Sequence, residues 1–310
     1  MKELIRPPLI SVLMPCRNAA RFLDEALDSV LAEPEVLEVL EVLVADGASS
    51  DGTLAILEQR AAKDSKLRLV SRQDHGPADA LNRAAAHARG TLIGWLNADD
   101  RYLPGAMARA REALERHPEW LMVYGEGEHI DEQGGVLDRY PTRRPEVGLD
   151  GFRDYCFLCQ PTVFWRRTMG LMLGGFDPTL QTAFDFDYWI RAFQSFPERI
   201  GHIAVVQAQT RRHEATISAS QLPRAILEAT MLQARSFEAA QPHMLKGYIE
   251  HIDNGSIQLP PDVSLKEHYQ DLLQMACELS IAPNQLQMIA KVLQTSPQTG
   301  REETNNTEQN

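Results

Sequence analysis

The chain has 310 residues, which is enough for one large domain or for a domain with an appendage. Its composition, 44% hydrophobic and 24% charged, is that of an ordinary globular protein. The formal net charge of -12 disfavours nucleic acid as a partner, and an anionic substrate would need a local cation. No apolar run approaches the roughly 20 residues that span a bilayer, and no signal peptide is recognised. We therefore expect a cytoplasmic protein with no transmembrane segment, for which peripheral membrane association stays open.

Strand and helix patterns alternate through the first half of the chain. Short apolar runs indicate buried strands, and segments with helical spacing follow them. Strands are predicted at 9–14, 39–45, 67–70 and 91–96, and helices at 22–31, from 51, at 78–89 and from 104 to about 117. This rhythm predicts an α/β sheet with helices on both faces.

The second half changes character twice. Residues 121–144 read as short strands and turns, with a hairpin turn at Gly134-Gly135. From Leu222 onward strand patterning is lost, and helices are predicted at 223–240, 264–279 and 283–293. We expect a main domain over 1–218, a helical C-terminal appendage over 219–297, and a disordered polar tail over 298–310.

Polar clusters follow each of the four predicted strands, at 15–18, 46–51, 74–76 and 97–100. Ligands of open α/β sheets bind beyond the carboxyl ends of the strands. Asp, Asn and Gly also form ordinary turns and caps, but four such clusters in succession favour a ligand site. The first cluster has no glycine, so neither a dinucleotide fingerprint nor a phosphate loop is present. A divalent cation held by Asp99 or Asp100 is the alternative, because carboxylates suit Mg²⁺ or Mn²⁺.

These clusters and three later motifs resemble the inverting family 2 glycosyltransferases of GT-A fold. The resemblance covers roughly residues 8 to 218 and rests on pieces that occur in family order. They are 9–18, 44–53, 74–82 with Gly90, Asn97-Ala98-Asp99-Asp100, Gln160-Pro161-Thr162, Gly174-Gly175-Phe176-Asp177 and 185–191. The resemblance implies a GT-A type, doubly wound mixed sheet. It also implies transfer of a sugar from a nucleotide-diphosphate sugar to a glycan or lipid-linked acceptor, as in surface polysaccharide assembly.

Position by position, the resemblance also implies roles. Binding of the nucleotide donor falls to Pro15, Arg17, Asn18, Asp46, Asp74, Asn97, Asp99 and Arg212. The resemblance assigns binding of a divalent metal, Mn²⁺ or Mg²⁺, to Asp99, Asp100 and His213. Asp185 falls where the family places its general base.

This sequence departs from the family pattern at two points. Asn97 stands where the motif often has aspartate, and Phe184 stands where glutamate often precedes the base. The second departure leaves Asp187 as a competing base. We favour Asp185 because its spacing to Trp189 and Arg191 matches the family, whereas Asp187 occupies an ordinary helix-start position.

Aromatic residues and cysteines leave further alternatives. Trp95, Tyr102, Trp165, Tyr188 and Trp189 are available to stack on a sugar, although Trp95 lies inside a predicted strand and is expected in the core. Cys156 and Cys159 form a C-x-x-C without a second pair, so we interpret them as core cysteines and not as a zinc site.

Two other functions are weighed. A sugar nucleotidylyltransferase would need a glycine-rich basic loop after the first strand, which 15–18 does not supply. A catalytically degenerate transferase fold that acts as a binding protein is kept open by Asn97.

Overall fold

A mixed sheet organises the larger part of the chain. The computed structural model describes residues 9–31, 39–71, 74–237, 243–255, 257–259, 263–278, 287 and 289–291. Within these residues the sheet has nine strands. They are β1 (Ile10–Cys16), β2 (Val39–Asp46), β3 (Leu67–Ser71), β4 (Leu92–Trp95), β5 (Arg101–Tyr102), β6 (Met122–Ile130), β7 (Val136–Arg139), β8 (Phe164–Arg166) and β9 (Ile200–Arg211).

Helices connect most of these strands. They are α1 (Leu23–Leu31), α2 (Thr53–Lys63), α3 (Pro77–His87), α4 (Ala106–Arg116), α5 (Arg167–Leu173) and α6 (Phe184–Ser195). Short 3-10 turns occupy Pro145–Val147, Leu149–Arg153 and Gln160–Thr162. Helices α2, α3 and α4 each follow a glycine with positive φ, at Gly52, Gly76 and Gly105.

The strand order is β3-β2-β1-β4-β8-β6-β9-β5, and β7 pairs with β6 outside this path. The pairs of β1 with β2, β1 with β4 and β2 with β3 are parallel. β8 lies antiparallel to β4 and β6, while β9 runs parallel to β6 and antiparallel to β5. The carboxyl ends of the parallel strands β1, β2, β3 and β4 therefore lie on one edge of the sheet. Strand β9 ends at the same edge.

Both faces of the sheet are covered by helices. Alternate residues of β1, from Ile10 to Cys16, belong to one buried cluster with residues of α1, α2 and α4. Helix α3 contacts β1 and β2, but its buried residues are not in that cluster. Since successive side chains of a strand point to opposite faces, α3 covers the other face. The predicted doubly wound arrangement is confirmed.

A second unit is helical. The first unit comprises 1–151 with 155–214, and the second comprises 152–154 with 215–310. The described part of the second unit contains α7 (Ile217–Ser220), α8 (Leu222–Ser236), α9 (His243–Asp253) and α10 (Leu265–Glu278), with α8 packed against α9 and α10. Gln233 of α8 donates its amide to the carbonyls of Phe152 and Arg153 at 3.1 and 2.9 Å, which ties 152–154 to this unit.

The predicted C-terminal helices match in part. Helix α8 begins one residue before the segment predicted at 223–240 and ends inside it, α10 lies within the segment predicted at 264–279, and α9 is an addition. The segment predicted at 283–293 falls outside the described residues except for 287 and 289–291, as does the tail at 298–310. The boundary predicted after residue 218 stays a prediction. Across the described residues, the structure contains no helix long and apolar enough to cross a bilayer.

Candidate active site

Two interlocked loops follow β1 and β2. The N–H of Gly47 donates to the carbonyl of Cys16 at 2.8 Å, which extends the strand pairing beyond β2. Asn18 lies in the left-handed region with φ of 51°, a conformation that Asn tolerates better than most residues. Its backbone N–H donates to Ser49 Oγ at 2.8 Å, and its Oδ1 accepts the N–H of Ser50 at 2.9 Å. The loop after β1 is thus tied to the loop after β2 in both directions.

Asp46 ends β2 as a buried carboxylate. Its Oδ2 and Oδ1 accept the N–H and the hydroxyl of Ser49 at 3.1 and 2.5 Å. A Cβ on Gly47 would lie 3.0 Å from Asp74 Oδ2 and 3.4 Å from Arg17 Cδ. The side chains of Asp74 and Arg17 therefore lie close to the backbone of Gly47. The ends of β1, β2 and β3 therefore bring together most of the predicted donor-binding residues, namely Pro15, Arg17, Asn18, Asp46 and Asp74.

Asn97 is fixed by three side-chain hydrogen bonds. Its Oδ1 accepts the indole N–H of Trp95 at 2.9 Å, and its Nδ2 donates to Gln160 Oε1 at 3.0 Å and to Asp100 Oδ2 at 3.2 Å. An aspartate here would turn a carboxylate oxygen toward Gln160 Oε1 and Asp100 Oδ2, so an amide suits these two acceptors better. The amide orients its neighbours, and its role toward the donor stays a prediction.

Asp99 and His213 form the centre of the site. Asp99 follows β4, His213 follows β9, and the Nε2 of the imidazole lies 3.0 Å from Asp99 Oδ2. Their side chains are 25% and 11% exposed, so both are reachable from solvent. One carboxylate oxygen and one imidazole nitrogen fit a divalent cation that keeps its other positions for phosphate oxygens. Among the described residues, no group of three or more His, Cys, Asp or Glu side chains converges as a ready-made metal cage.

Asp100 is placed differently from its neighbour. It is buried, and its Oδ1 accepts the backbone N–H of Arg211 at 2.9 Å while its Oδ2 accepts from Asn97. Burial, together with the charge of Asp99, raises the pKa of this carboxyl to about 8. The structure does not bring Asp100 together with His213, because its oxygens already serve the interior of the fold. Its predicted part in metal binding has no support in this geometry.

Arg211 is a residue that sequence reasoning missed. Its side chain is 1% exposed, yet it makes four hydrogen bonds. The guanidinium donates to the carbonyls of Asp99, Asp131 and Glu132 at 2.9, 3.0 and 3.2 Å, and to Glu25 Oε2 at 2.6 Å. One buried arginine therefore holds the backbone of Asp99. A polar residue at the end of a strand gives no sequence signal for such burial.

A ring links Arg211 to His213. The Phe22 ring lies 4.7 Å from the Arg211 guanidinium carbon and 5.0 Å from the centroid of the His213 imidazole. The aromatic face is a favourable neighbour for the cation, and the ring also supports the imidazole. Both members of the Asp99–His213 pair are thus positioned by the same small cluster.

Arg212 points away from this pair. Its Nη1 lies 3.0 Å from Asp138 Oδ2, and its Nη2 lies 2.9 Å from His129 Nδ1, both on the β6–β7 hairpin. The structure does not bring Arg212 together with Asp99, and its predicted contact with the donor diphosphate stays a prediction.

The two competing bases lie in the first turn of α6. Asp185 is half-buried, and its Oδ1 accepts the N–H of Phe186 at 2.7 Å. Burial raises the pKa of the Cys156 thiol and the charge of Asp185 adds to the effect, which places this carboxylate near Cys156. Asp187 instead forms an ion pair with Arg191 at 2.7 Å. Asp187 is therefore committed to an ion pair within its helix, as its helix-start position suggested.

The aromatic residues available for sugar stacking are interior. Trp95, Tyr102, Trp165, Tyr188 and Trp189 are each at most 3% exposed. Phe176 and Phe184 complete a packed group with Trp95, with ring centroids 5.2 and 5.6 Å from it. These rings pack in the interior and present no open platform for a sugar. Of the two cysteines interpreted as core residues, Cys159 is buried, whereas Cys156 is only partly buried.

The fold and the site together define a glycosyltransferase of GT-A fold. The chain belongs to the glycosyl transferase family 2, whose family profile matches residues 11–167, just over half of the chain.

Curated relatives support this assignment. The chain is 26% identical over 197 residues to the chondroitin synthase of Escherichia coli, which covers 63% of this chain and 28% of that protein. It is 25% identical to an uncharacterized glycosyltransferase of Rickettsia prowazekii, over 71% of this chain and 69% of the relative. It is 29% identical to the O-antigen biosynthesis protein RfbC of Myxococcus xanthus, over 87% of this chain and 21% of the relative. The chain thus spans about a quarter of the length of the E. coli and M. xanthus proteins.

Solved structures confirm the predicted fold. The S. aureus TarS fragment 1–349 in complex with UDP-GlcNAc matches with a TM-score of 0.65 at 19% identity, over 95% of this chain and 92% of that one. The mannosyltransferase PcManGT from Pyrobaculum calidifontis, in complex with GDP-Man and Mn²⁺, matches with a TM-score of 0.58 at 19% identity, over 93% and 86%.

Proposed function

We propose that this chain transfers a sugar from a nucleoside diphosphate sugar to an acceptor hydroxyl, with inversion at the anomeric carbon. The observation that carries the proposal is the convergence of Asp99 and His213 beyond the ends of β4 and β9. The acidic loop of Asp46 lies at the end of β2, on the edge to which parallel β1, β2 and β4 open. The Asp99–His213 pair is suited to the diphosphate of the donor, and the loop of Asp46 is suited to its nucleoside.

The donor side supports a divalent metal. Burial raises the pKa of the Cys16 thiol, and the charges of Asp46, Asp51 and Asp99 raise it further, so negative charge surrounds the end of β1. A donor diphosphate would be repelled there without a cation. Asp99 and His213 would hold Mn²⁺ or Mg²⁺, which when bound neutralises charge on the leaving diphosphate. The relatives' ligands, UDP-GlcNAc for TarS and GDP-Man with Mn²⁺ for PcManGT, support this class of donor and metal.

The acceptor side supplies the base. The acceptor oxygen bonds to the anomeric carbon while the bond from that carbon to the diphosphate oxygen breaks. The hydroxyl proton passes to the Asp185 carboxylate, and the nucleoside diphosphate leaves with the bonding electron pair. Asp185 suits this role better than Asp187, because the Asp187 carboxylate is held by the Arg191 guanidinium of its own helix.

The names of two relatives support a proposal for the acceptor class. Chondroitin synthase and an O-antigen biosynthesis protein are both named for polysaccharide assembly. We propose a glycan or lipid-linked acceptor in surface polysaccharide assembly for this chain. The cytoplasmic location expected from the sequence stays a prediction.

The test is release of nucleoside diphosphate from a panel of UDP- and GDP-sugars with Mn²⁺, with and without saccharide acceptors. Acceptor-stimulated release that vanishes in EDTA and in Asp185→Asn is the expected result. Nucleotide binding without any release would indicate a binding protein instead. Pyrophosphate release from a nucleoside triphosphate and a sugar phosphate would indicate a nucleotidylyltransferase.

A further inference from the structure

Asn82 of α3 makes a two-point contact with the backbone of a distant segment. Its Nδ2 donates to the carbonyl of Phe176 at 2.8 Å, and its Oδ1 accepts the N–H of the same residue at 2.9 Å. The two residues are separated by 94 positions in the chain. One side chain thus satisfies both backbone groups of Phe176, as a neighbouring strand would do.

Glycines make this approach possible. Gly175 has φ of +84°, and a Cβ there would lie 2.7 Å from Asn82 Oδ1. Gly76, just before α3, has φ of +125°, and a Cβ there would lie 2.8 Å from Gln181 Oε1. The segment 174–183 therefore rests against α3 at one point and against the turn before α3 at another. Any larger side chain at either glycine would meet both a steric and a conformational barrier.

The same segment is held from its other side by α6. Arg191 donates from Nη1 to the carbonyl of Leu173 at 2.9 Å and from Nη2 to the carbonyl of Gly175 at 2.8 Å. Asp187 fixes this guanidinium through its ion pair. Segment 174–183 is consequently clamped between α3, which follows the donor loop at Asp74, and α6, which carries Asp185.

We propose that Asn82 is a positioning residue that sets the distance between the donor loops and the base on α6. The oxygen and the nitrogen of its carboxamide are both engaged by Phe176, so it acts through the protein backbone. Without it, segment 174–183 keeps the Arg191 clamp but loses its attachment to α3, and Asp185 is no longer held against the donor. This inference rests on the proposed role of Asp185 as base.

A double-mutant cycle tests the proposal. Asn82→Ala is expected to lower kcat for transfer about 10- to 100-fold, the scale of a misplacement near 1 Å, while the Kd for the donor changes less than about threefold. If Asn82 acts through Asp185, the same substitution in an Asp185→Asn background lowers kcat by less than about twofold. Arg83→Ala is the matched control, since Arg83 is an exposed neighbour on α3 whose guanidinium pairs with Asp79. Its kcat should equal that of the wild type.

Hydrogen–deuterium exchange gives a readout that needs no activity. Peptides covering 174–183 should exchange faster in Asn82→Ala than in the wild type or in Arg83→Ala. Should Asn82→Ala fail to fold, Asn82→Asp replaces it, because it keeps the acceptor for the Phe176 N–H and loses only the donor. Equal exchange in the variant and the wild type, or equal kcat losses in both backgrounds, would overturn the inference. Normal turnover of Asp185→Asn would overturn the proposed base. Unchanged exchange of 174–183 in Asn82→Ala would still be needed to reject the clamp.

Discussion

Asp99 and His213 are separated by 114 residues in the chain and by 3.0 Å between carboxylate oxygen and imidazole nitrogen. The pair exists because β4 and β9 end at the same edge of the sheet, and because Arg211 and Phe22 hold its two members. Within the described part of the chain, this is the pair of side chains that best suits a cation bound to a diphosphate.

Loss of either member should weaken the metal-dependent part of donor binding. Asp99→Asn and His213→Ala each alter one of the two proposed protein ligands. Loss of even an outer-shell partner of a metal ligand costs about 10- to 100-fold in metal affinity, so we expect a loss of at least about 10-fold. Calorimetric titration with UDP or GDP, with and without Mn²⁺, measures the effect. Asp100→Asn is the neighbouring control. If it reduced Mn²⁺-dependent affinity as much as Asp99→Asn, Asp100 would be a ligand despite its burial.

Asp185→Asn should abolish transfer and spare donor binding. The substitution keeps the shape and removes the basicity, so we expect a loss of about 100-fold or more in kcat with little change in donor Kd. Asp187→Asn breaks the ion pair with Arg191, which should cost about 1 kcal/mol of stability and lower kcat far less than Asp185→Asn does. Steady-state kinetics of both variants decide between them. The reverse ranking would move the base by two residues.

Arg211→Met should damage both fold and site. Removing a buried guanidinium leaves three carbonyls without their donor and Glu25 with one arginine partner fewer, and each unsatisfied buried acceptor costs about 1 to 3 kcal/mol. Arg211→Lys keeps a charge but cannot span the same acceptors, so Mn²⁺-dependent donor affinity should fall even where the protein stays folded.

Arg101→Lys is the matched control for Arg211→Lys. Arg101 also pairs with Glu25 and donates to the carbonyl of Gly134 at 3.0 Å, yet its remaining contact is Gln209 and not Asp99. Donor affinity should stay close to that of the wild type. Equal losses of affinity in the two lysine variants would show that the whole network, and not the bond to Asp99, is responsible.

Glu41 should make stability depend on pH in the acid range. Burial alone would raise its pKa, but bonds from the backbone of Arg89, from Ser11 and from two arginines outweigh it and lower the pKa below 4.5. A carboxyl with a lowered pKa stabilises the fold above its unfolded pKa, and this contribution is lost as pH falls through the folded pKa.

Glu41→Gln should accordingly destabilise the protein by about 1.5 to 3 kcal/mol at pH 7, the scale of a lost charge-assisted hydrogen bond, since Glu41 is the shared partner of Arg68 and Arg89. The difference should shrink as pH falls below 4.5. Thermal unfolding of both proteins from pH 3 to 7 measures it. A difference that is constant over this range would mean that the charge of Glu41 contributes nothing.

Sequence patterns predicted the parallel half of the sheet well, because each buried strand there is a short apolar run bounded by polar turns. Strand β9 was not predicted, since its exposed middle at Ala204 and Val205 interrupts both the alternating and the apolar pattern. The interior positions of Trp165 and Tyr188 were likewise left open, because a ring that stacks on a sugar and a ring in a core look alike in sequence.

Sequence motifs located the site but did not say which side chains enter it, and the reason is geometric. Asp99 and Asp100 are neighbours in the chain, as are Arg212 and His213, yet in each pair only one member faces the site. Successive side chains on extended or turning backbone diverge, so a motif locates a site to within a residue and does not say which side chain enters it. Arg211 shows the converse, as its role depends on carbonyls brought near by tertiary structure.

The position of β9 between β6 and β5 has a consequence for how the protein matures. The loops that follow β1, β2 and β3, which we propose bind the nucleoside, are synthesised early. Strand β9 must enter between two strands that were made before it. Closing a loop of this length carries an entropic cost that local pairing does not repay. We expect a nascent chain to assemble its first four strands while Asp99 still lacks its histidine. Competence to hold a charged donor would then arrive last, together with closure of the sheet.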